Sequence, residues 1–178
     1  MTTAKNYTKG SPNRKVRLIV IHSMESQEKP GTAIQVAKWF SNDNAPQASA
    51  HWCVDATSAV QVVSDDDIAW GAPGANADGL HIECAGKAAQ TRAEWLDDYS
   101  MGVIRQAAKV AARWVIKYNI PIAKLTPEQV RDGKTKGICG HIDVTKAWPD
   151  KGSHTDPGAG FPWDVFLSEV TKAAHPSK

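Results

Sequence analysis

The segment Gly140–Trp163, GHIDVTKAWPDKGSHTDPGAGFPW, concentrates histidines and aspartates, the side chains that bind a borderline metal such as zinc. It carries His141, His154, Asp143, Asp150 and Asp156. Its polarity, its Gly and Pro content and its weak periodicity predict a long loop, neither helix nor buried strand. Long loops inside compact domains are disproportionately functional. On this reading His141 and Asp156 share a metal with a third ligand from elsewhere in the chain.

That third ligand has to stand at the end of another element. Val16–His22, VRLIVIH, reads as a buried strand because β-branched residues dominate a short run, and His22 closes it before the polar loop SMESQEKPG. The same pattern also suits a hydrogen-bonded core histidine. Gly137–Gly140, GICG, delivers His141 in the same way, at a strand end. In Leu80–Cys84, alternation puts His81 and Glu83 on one face and Leu80, Ile82 and Cys84 on the other. His22, His141 and Asp156 together leave an open position for water, which is what a hydrolytic zinc needs. Glu83 is then the candidate general base, and His154, two residues before Asp156, the candidate partner for a developing oxyanion. His81 is an alternative ligand, while Asp143 and Asp150 read as loop formers.

The elements that must position these groups follow from periodicity and punctuation. A helix opens at Gly31-Thr32, with Thr32 as N-cap and Ala33, Val36, Ala37 and Phe40 on one face. His51–Val54 and Ala59–Val63 form a hairpin around Asp55–Ser58, and Ile68–Trp70 is a short strand. Thr91–Glu94 has capping-box form and starts the longest helix, whose stripe runs from Leu96 to Trp114 before Pro121. Leu125–Asp132 is a short helix, and Pro162 begins the last one. Strands alternating with helices, plus one hairpin, predict an α/β fold: a single domain with a central mixed β-sheet flanked by helices. The metal site is expected at the strand ends, in a surface groove. Residues 1–14 read as an N-terminal tail and 15–175 as the catalytic domain.

A chain of 178 residues accommodates one such domain. Its 42% hydrophobic and 22% charged content is that of an ordinary globular protein. A net charge of +2 gives no field for nucleic acid, and no apolar run approaches a membrane span. The N-terminus lacks an apolar h-region, which predicts synthesis in the cytoplasm without a signal peptide. Cys53, Cys84 and Cys139 form no CxxC pair and read as buried free thiols.

The order VIH, SAHW, LHIECAG, GHIDVT and HTDPG resembles the zinc-dependent N-acetylmuramoyl-L-alanine amidases, the type-2 amidase and peptidoglycan-recognition family that includes many phage endolysins. The resemblance spans Val16 to Trp163. It implies zinc ligands at His22, His141 and Asp156, a catalytic acid/base at Glu83, and a groove position for His51 in the Ser49-Ala50-His51 motif. Trp70 and Trp148 are the aromatic groove candidates. The chain departs from the family in three places. His154 stands where a lysine is common, Ala50 where some branches have a tyrosine, and Trp70-Gly71 lacks the usual histidine. The resemblance further implies action on peptidoglycan; a monomer is expected, with neither nucleic acid nor membrane as partner. An endolysin would reach the wall through a phage-made membrane pore. The competing class is a muropeptide-recognition module that binds without cutting.

Overall fold

Leu18, Ile19, Val20 and Ile21 are all without solvent exposure, which is what a strand covered on both faces requires. They belong to the middle of a five-stranded sheet in a computed structural model that describes residues 3–176. The strands are β1 (Tyr7–Thr8), β2 (Leu18–Ser23), β3 (Trp52–Val54), β4 (Ala59–Gln61), β5 (Ile68–Ala69), β6 (Gly79–Cys84) and β7 (Gly137–Gly140). The helices are α1 (Thr32–Ser41), α2 (Arg92–Trp95), α3 (Asp98–Tyr118), α4 (Pro127–Arg131), α5 (His141–Ala147) and α6 (Trp163–Ala174). A 3₁₀ turn covers Pro149–Lys151.

The sheet order is β4-β3-β6-β2-β7, with β3, β6, β2 and β7 parallel and β4 antiparallel through its hairpin. This is the single-domain α/β fold with a mixed sheet that the alternation of elements predicts. One face of the sheet presents Ile19, Ile21, Leu80, Ile82 and Ile138 to Trp114 of α3 and Phe166 of α6. On the other face, Leu18 and Val20 pack with Val130 of α4 and Val144 of α5. Further along that face Cys53 packs with Ala33, Ala37 and Phe40 of α1. All three cysteines are free and buried, as expected.

Several boundaries differ from the sequence reading, each for a local reason. Thr32 is not the N-cap. Gly31 takes that place at φ 87°, and the Thr32 hydroxyl donates to the Gln27 carbonyl. The Thr91–Glu94 capping box forms but starts only α2, because Leu96 leaves helical geometry and Asp97 then caps α3 through Ser100 N–H. The polar segment after Gly140 is not all loop. Its first seven residues form α5, where Asp143 accepts from Gly140 N–H at 2.7 Å and Val144 and Ala147 are buried. β1 pairs antiparallel with β5, and Ala4 is buried; both lie within the stretch read as a tail, whose first two residues are outside the described region.

Two buried polar side chains brace the sheet. Asp55 accepts from Ala33 N–H at the start of α1 and from Thr57 N–H, Thr57 Oγ1 and Ser58 N–H in the hairpin turn. Burial works against its charge, but those hydrogen bonds outweigh it and hold the carboxyl below its ordinary value. His51 has no exposed surface and extends the β3–β6 ladder by one residue. Its N–H donates to His81 O, its Nδ1 accepts from His81 N–H at 3.0 Å, and its Nε2–H donates to Asp67 O at 3.2 Å. Both ring nitrogens are thus occupied by backbone, and His51 has none left for a substrate. Burial pushes its pKa down to about 3.

Asp55→Ala strands these donors and is expected to lower unfolding free energy by roughly 2–4 kcal/mol, with Asp55→Asn less affected. Equilibrium urea unfolding at pH 7 measures both. For His51, the unfolded chain takes up a proton below about pH 6.5 that the folded chain refuses until about pH 3. Its contribution is therefore complete above pH 6.5 and is lost as pH falls. Between pH 6 and 4, His51→Gln is expected to show a shallower decline of stability by ~1.4 kcal/mol per pH unit. Parallel slopes for the two proteins would contradict this.

Candidate metal centre

Three parallel strands end side by side, and each carries a group that can do chemistry within one residue of its end. In the β2–β6 register His22 stands opposite Glu83. In the β2–β7 register Ile21 stands opposite Gly140, so the next residues along, His22 and His141, meet at the same edge. Ligand and substrate sites in open α/β sheets form at this carboxyl edge. Their rings lie 4.7 Å apart between centroids.

Asp156 reaches the pair from the segment that follows α5. Its carbonyl accepts from Ile142 N–H at 2.8 Å, which anchors that segment to the start of α5. One carboxylate oxygen is 3.1 Å from His22 Nδ1 and the other 3.2 Å from His141 Nδ1. An ionised carboxylate only accepts, so both imidazoles donate to it here. Burial opposes the charge on Asp156, but the hydrogen bonds from His141 and His22 win and hold its carboxyl far below the ordinary range. Burial likewise lowers the pKa of His141, offset in part by Asp156.

One donor atom from each of His22, His141 and Asp156 can be chosen so that all lie within 4.8 Å of one another. Two neutral imidazoles and one carboxylate are a donor set suited to zinc, and three protein ligands leave room for a further one. The residues therefore fit a metal ion.

Glu83 lies beside His22 with one carboxylate oxygen buried and without a hydrogen-bond partner. Burial, then the charges of Asp156 and Glu25, push its carboxyl well above the ordinary range. A divalent cation held at the neighbouring cluster would act in the opposite direction and favour the carboxylate. A half-buried acid with one unpartnered oxygen, beside a set that could hold a metal, has the freedom to give and take a proton.

His154 stacks on His141 at 4.0 Å between centroids and places Nδ1 3.8 Å from Asp156, too far for a hydrogen bond. It is more than half exposed, and burial and the neighbouring His141 lower its pKa. It lines a cleft of about 240 Å³ with Glu25, Ala88, Ser153, Thr155 and Asp156. A larger cleft of about 390 Å³, against Lys9, Arg14 and Asp65–Asp67, contains none of these ligands. Chemistry rather than size selects between the two.

The remaining groups fall elsewhere. Trp70 is partly exposed, and its partners are Thr8 and Ser49, neither of them in the cluster. Trp148 is half-buried against the Leu18 side of the sheet. Asp143 caps α5 and pairs with Lys124 at 2.5 Å. His81 is wholly buried, with Nδ1 3.0 Å from His22 Nε2, so it stands behind a ligand rather than among the ligands. Sequence reasoning passed over Glu25, which accepts from Ser23 Oγ at 2.6 Å and from Ala88 N–H at 2.7 Å. Its place just after β2 was the available signal.

Comparison with known proteins agrees with this geometry. Residues 12–159 match the family model described as N-acetylmuramoyl-L-alanine amidase. A search of curated proteins found no match. Among solved structures, the chain is similar to a selenomethionine AmpD derivative (TM-score 0.65, 19% identity, covering 94% of this chain and 92% of that one). It is also similar to the Staphylococcus aureus hydrolase AmiA in complex with its ligand (TM-score 0.64, 15% identity, 97% and 86% covered). The catalytic domain of XlyA is a third (TM-score 0.61, 17% identity, 95% and 96% covered). At these identities the structures speak to the fold, which is shared over 94–97% of this chain. The family match over most of the length, together with the ligand set at the sheet edge, shows that this chain belongs to the N-acetylmuramoyl-L-alanine amidase family.

Proposed function

We propose that the protein is a zinc-dependent amidase that hydrolyses the bond between the lactyl group of N-acetylmuramic acid and L-alanine in peptidoglycan. The observation that carries this reading is the convergence of His22, His141 and Asp156 beside the unpartnered carboxyl of Glu83. Its catalytic domain takes in residues 15–175 together with β1 and the buried Ala4 ahead of them, and acts as a monomer on the wall without nucleic acid or membrane as partner. A phage or prophage endolysin, made in the cytoplasm and released through a phage-made pore, is the setting that best suits this chemistry.

A zinc ion held by the three ligands would supply Lewis acidity, polarising the amide carbonyl and making water more acidic. The protein's own groups do the rest. His22, His141 and Asp156 would hold that ion at the sheet edge, next to Glu83. A Glu83 carboxylate oxygen takes the proton of the attacking water and passes it to the leaving alanine nitrogen, so one group serves as base and then as acid. Burial, by raising the proton affinity of Glu83, suits it to the second role. His154, on the open side of His141, offers a ring N–H toward the oxygen on which negative charge develops.

Purified protein is expected to bind about one zinc per chain and to release new L-alanine N-termini from bacterial walls, detected by mass analysis of the products. Chelation should abolish turnover and added zinc should restore it. A metal-free protein that binds muropeptide without cutting it would instead establish the recognition-module class. Glu83→Gln keeps shape and removes the carboxyl that can take and return a proton. It is expected to retain zinc and lose about 10²–10⁴-fold in kcat, the range general acid–base catalysis supplies. Near-normal turnover in that variant would remove Glu83 from its assigned role.

A further inference from the structure

We propose that His81 is a positioning residue for the metal ligand His22, holding the His22 ring so that Nδ1 faces the site; this rests on the metal reading above. His81 belongs to β6, opposite Val20 and two residues before Glu83. Its Nδ1 lies 3.0 Å from His22 Nε2, and the opposite nitrogen of His22 points to Asp156 at 3.1 Å. One His22 nitrogen is therefore reserved for His81, and Nδ1 alone remains for the cluster. Ligand histidines are commonly oriented by a partner on the second ring nitrogen, and that partner tunes the affinity for the metal.

The His81 ring has a seat built for it. A Cβ placed on Gly71 would come within 2.6 Å of its Nδ1, and one on Gly79 within 3.2 Å of its Nε2. The His51 ring stacks on it at 5.7 Å with an interplanar angle of 8°, while accepting its backbone N–H. His81 Nε2 itself has no hydrogen-bond partner. A buried polar ring with a single side-chain partner works against stability, so an apolar residue would serve the core better. What His81 contributes is the contact with His22.

The contact also couples the tautomers of the two rings. Without metal, His22 carries its proton on Nδ1, donating to Asp156, and Nε2 accepts from His81 Nδ1–H. If a metal took Nδ1, the His22 proton would sit on Nε2 and donate to His81 Nδ1, and His81 would carry its proton on Nε2. The hydrogen bond persists in both states with its direction reversed. No net proton is gained or lost by the pair.

Zinc affinity of the purified chain, measured by competition with a chromogenic chelator, tests this. His81→Leu is expected to raise the zinc Kd by about 10–100-fold, while the thermal midpoint of the metal-free protein stays level or rises. His81→Asn, whose side-chain oxygen can accept near the place of Nδ1, should recover most of the affinity. Nitrogen-15 NMR of wild type should show the His22 proton moving from Nδ1 to Nε2 when zinc is added, which needs no variant to fold. Wild-type affinity in His81→Leu, or an unchanged His22 tautomer in zinc-loaded protein, overturns the role of His81 and leaves the metal reading intact. Wild-type protein that binds no zinc overturns both.

Discussion

A carboxylate removed from water has to be answered by donors, and in this protein the carboxylate of Asp156 is answered by two imidazoles from different strands. The surrounding structure is arranged so that those donors can be there. His22 and His141 stand at the ends of neighbouring parallel strands, and a backbone hydrogen bond from Ile142 fixes the approach of the acid. The same arrangement creates a three-donor set that a metal can take over from the protons. The atoms that satisfy the carboxylate are thus also those that could hold a metal.

Polarity is confined to one edge of an otherwise apolar sheet. The face toward α3 and α6 is closed by Ile19, Ile21, Leu80 and Ile82, and the face toward α4 and α5 by Leu18 and Val20. Such packing makes a strand end a rigid mount, which a ligand needs in order to keep its geometry. Behind the ligands runs a second polar tier, Asp67 carbonyl to His51 to His81 to His22, linked by hydrogen bonds of 3.0–3.2 Å. It links the hairpin side of the sheet to the His22–His141–Asp156 cluster without exposing any of its rings.

Much of this was legible in the chain. Short β-branched runs marked β2 and β7, period-2 alternation placed His81 and Glu83 on one face, and GH with HTDPG marked the partners of His22. The helical character of residues 141–147 was not legible. Its polar composition hides a two-turn helix that exists because Asp143 caps it and because Val144 and Ala147 find a core to enter. Nor was the placement of His51, which looks like a groove residue in the SAH motif and is in fact sealed beneath it.

By itself the sequence determined the residue types for the chemistry, the fold class and the periodic faces, because these depend on local spacing and side-chain character. Only the tertiary structure decided the partners. Parallel register set Glu83, His22 and His141 side by side, although 58 or more residues separate each pair along the chain. It also placed His81 behind His22 and away from Asp156, since a nitrogen's role depends on what lies 3 Å away across strands rather than on its neighbours in sequence. The segment Gly140–Trp163 supplies His141, Asp156 and His154, and the rest of the chain supplies the frame that brings His22 and Glu83 to them.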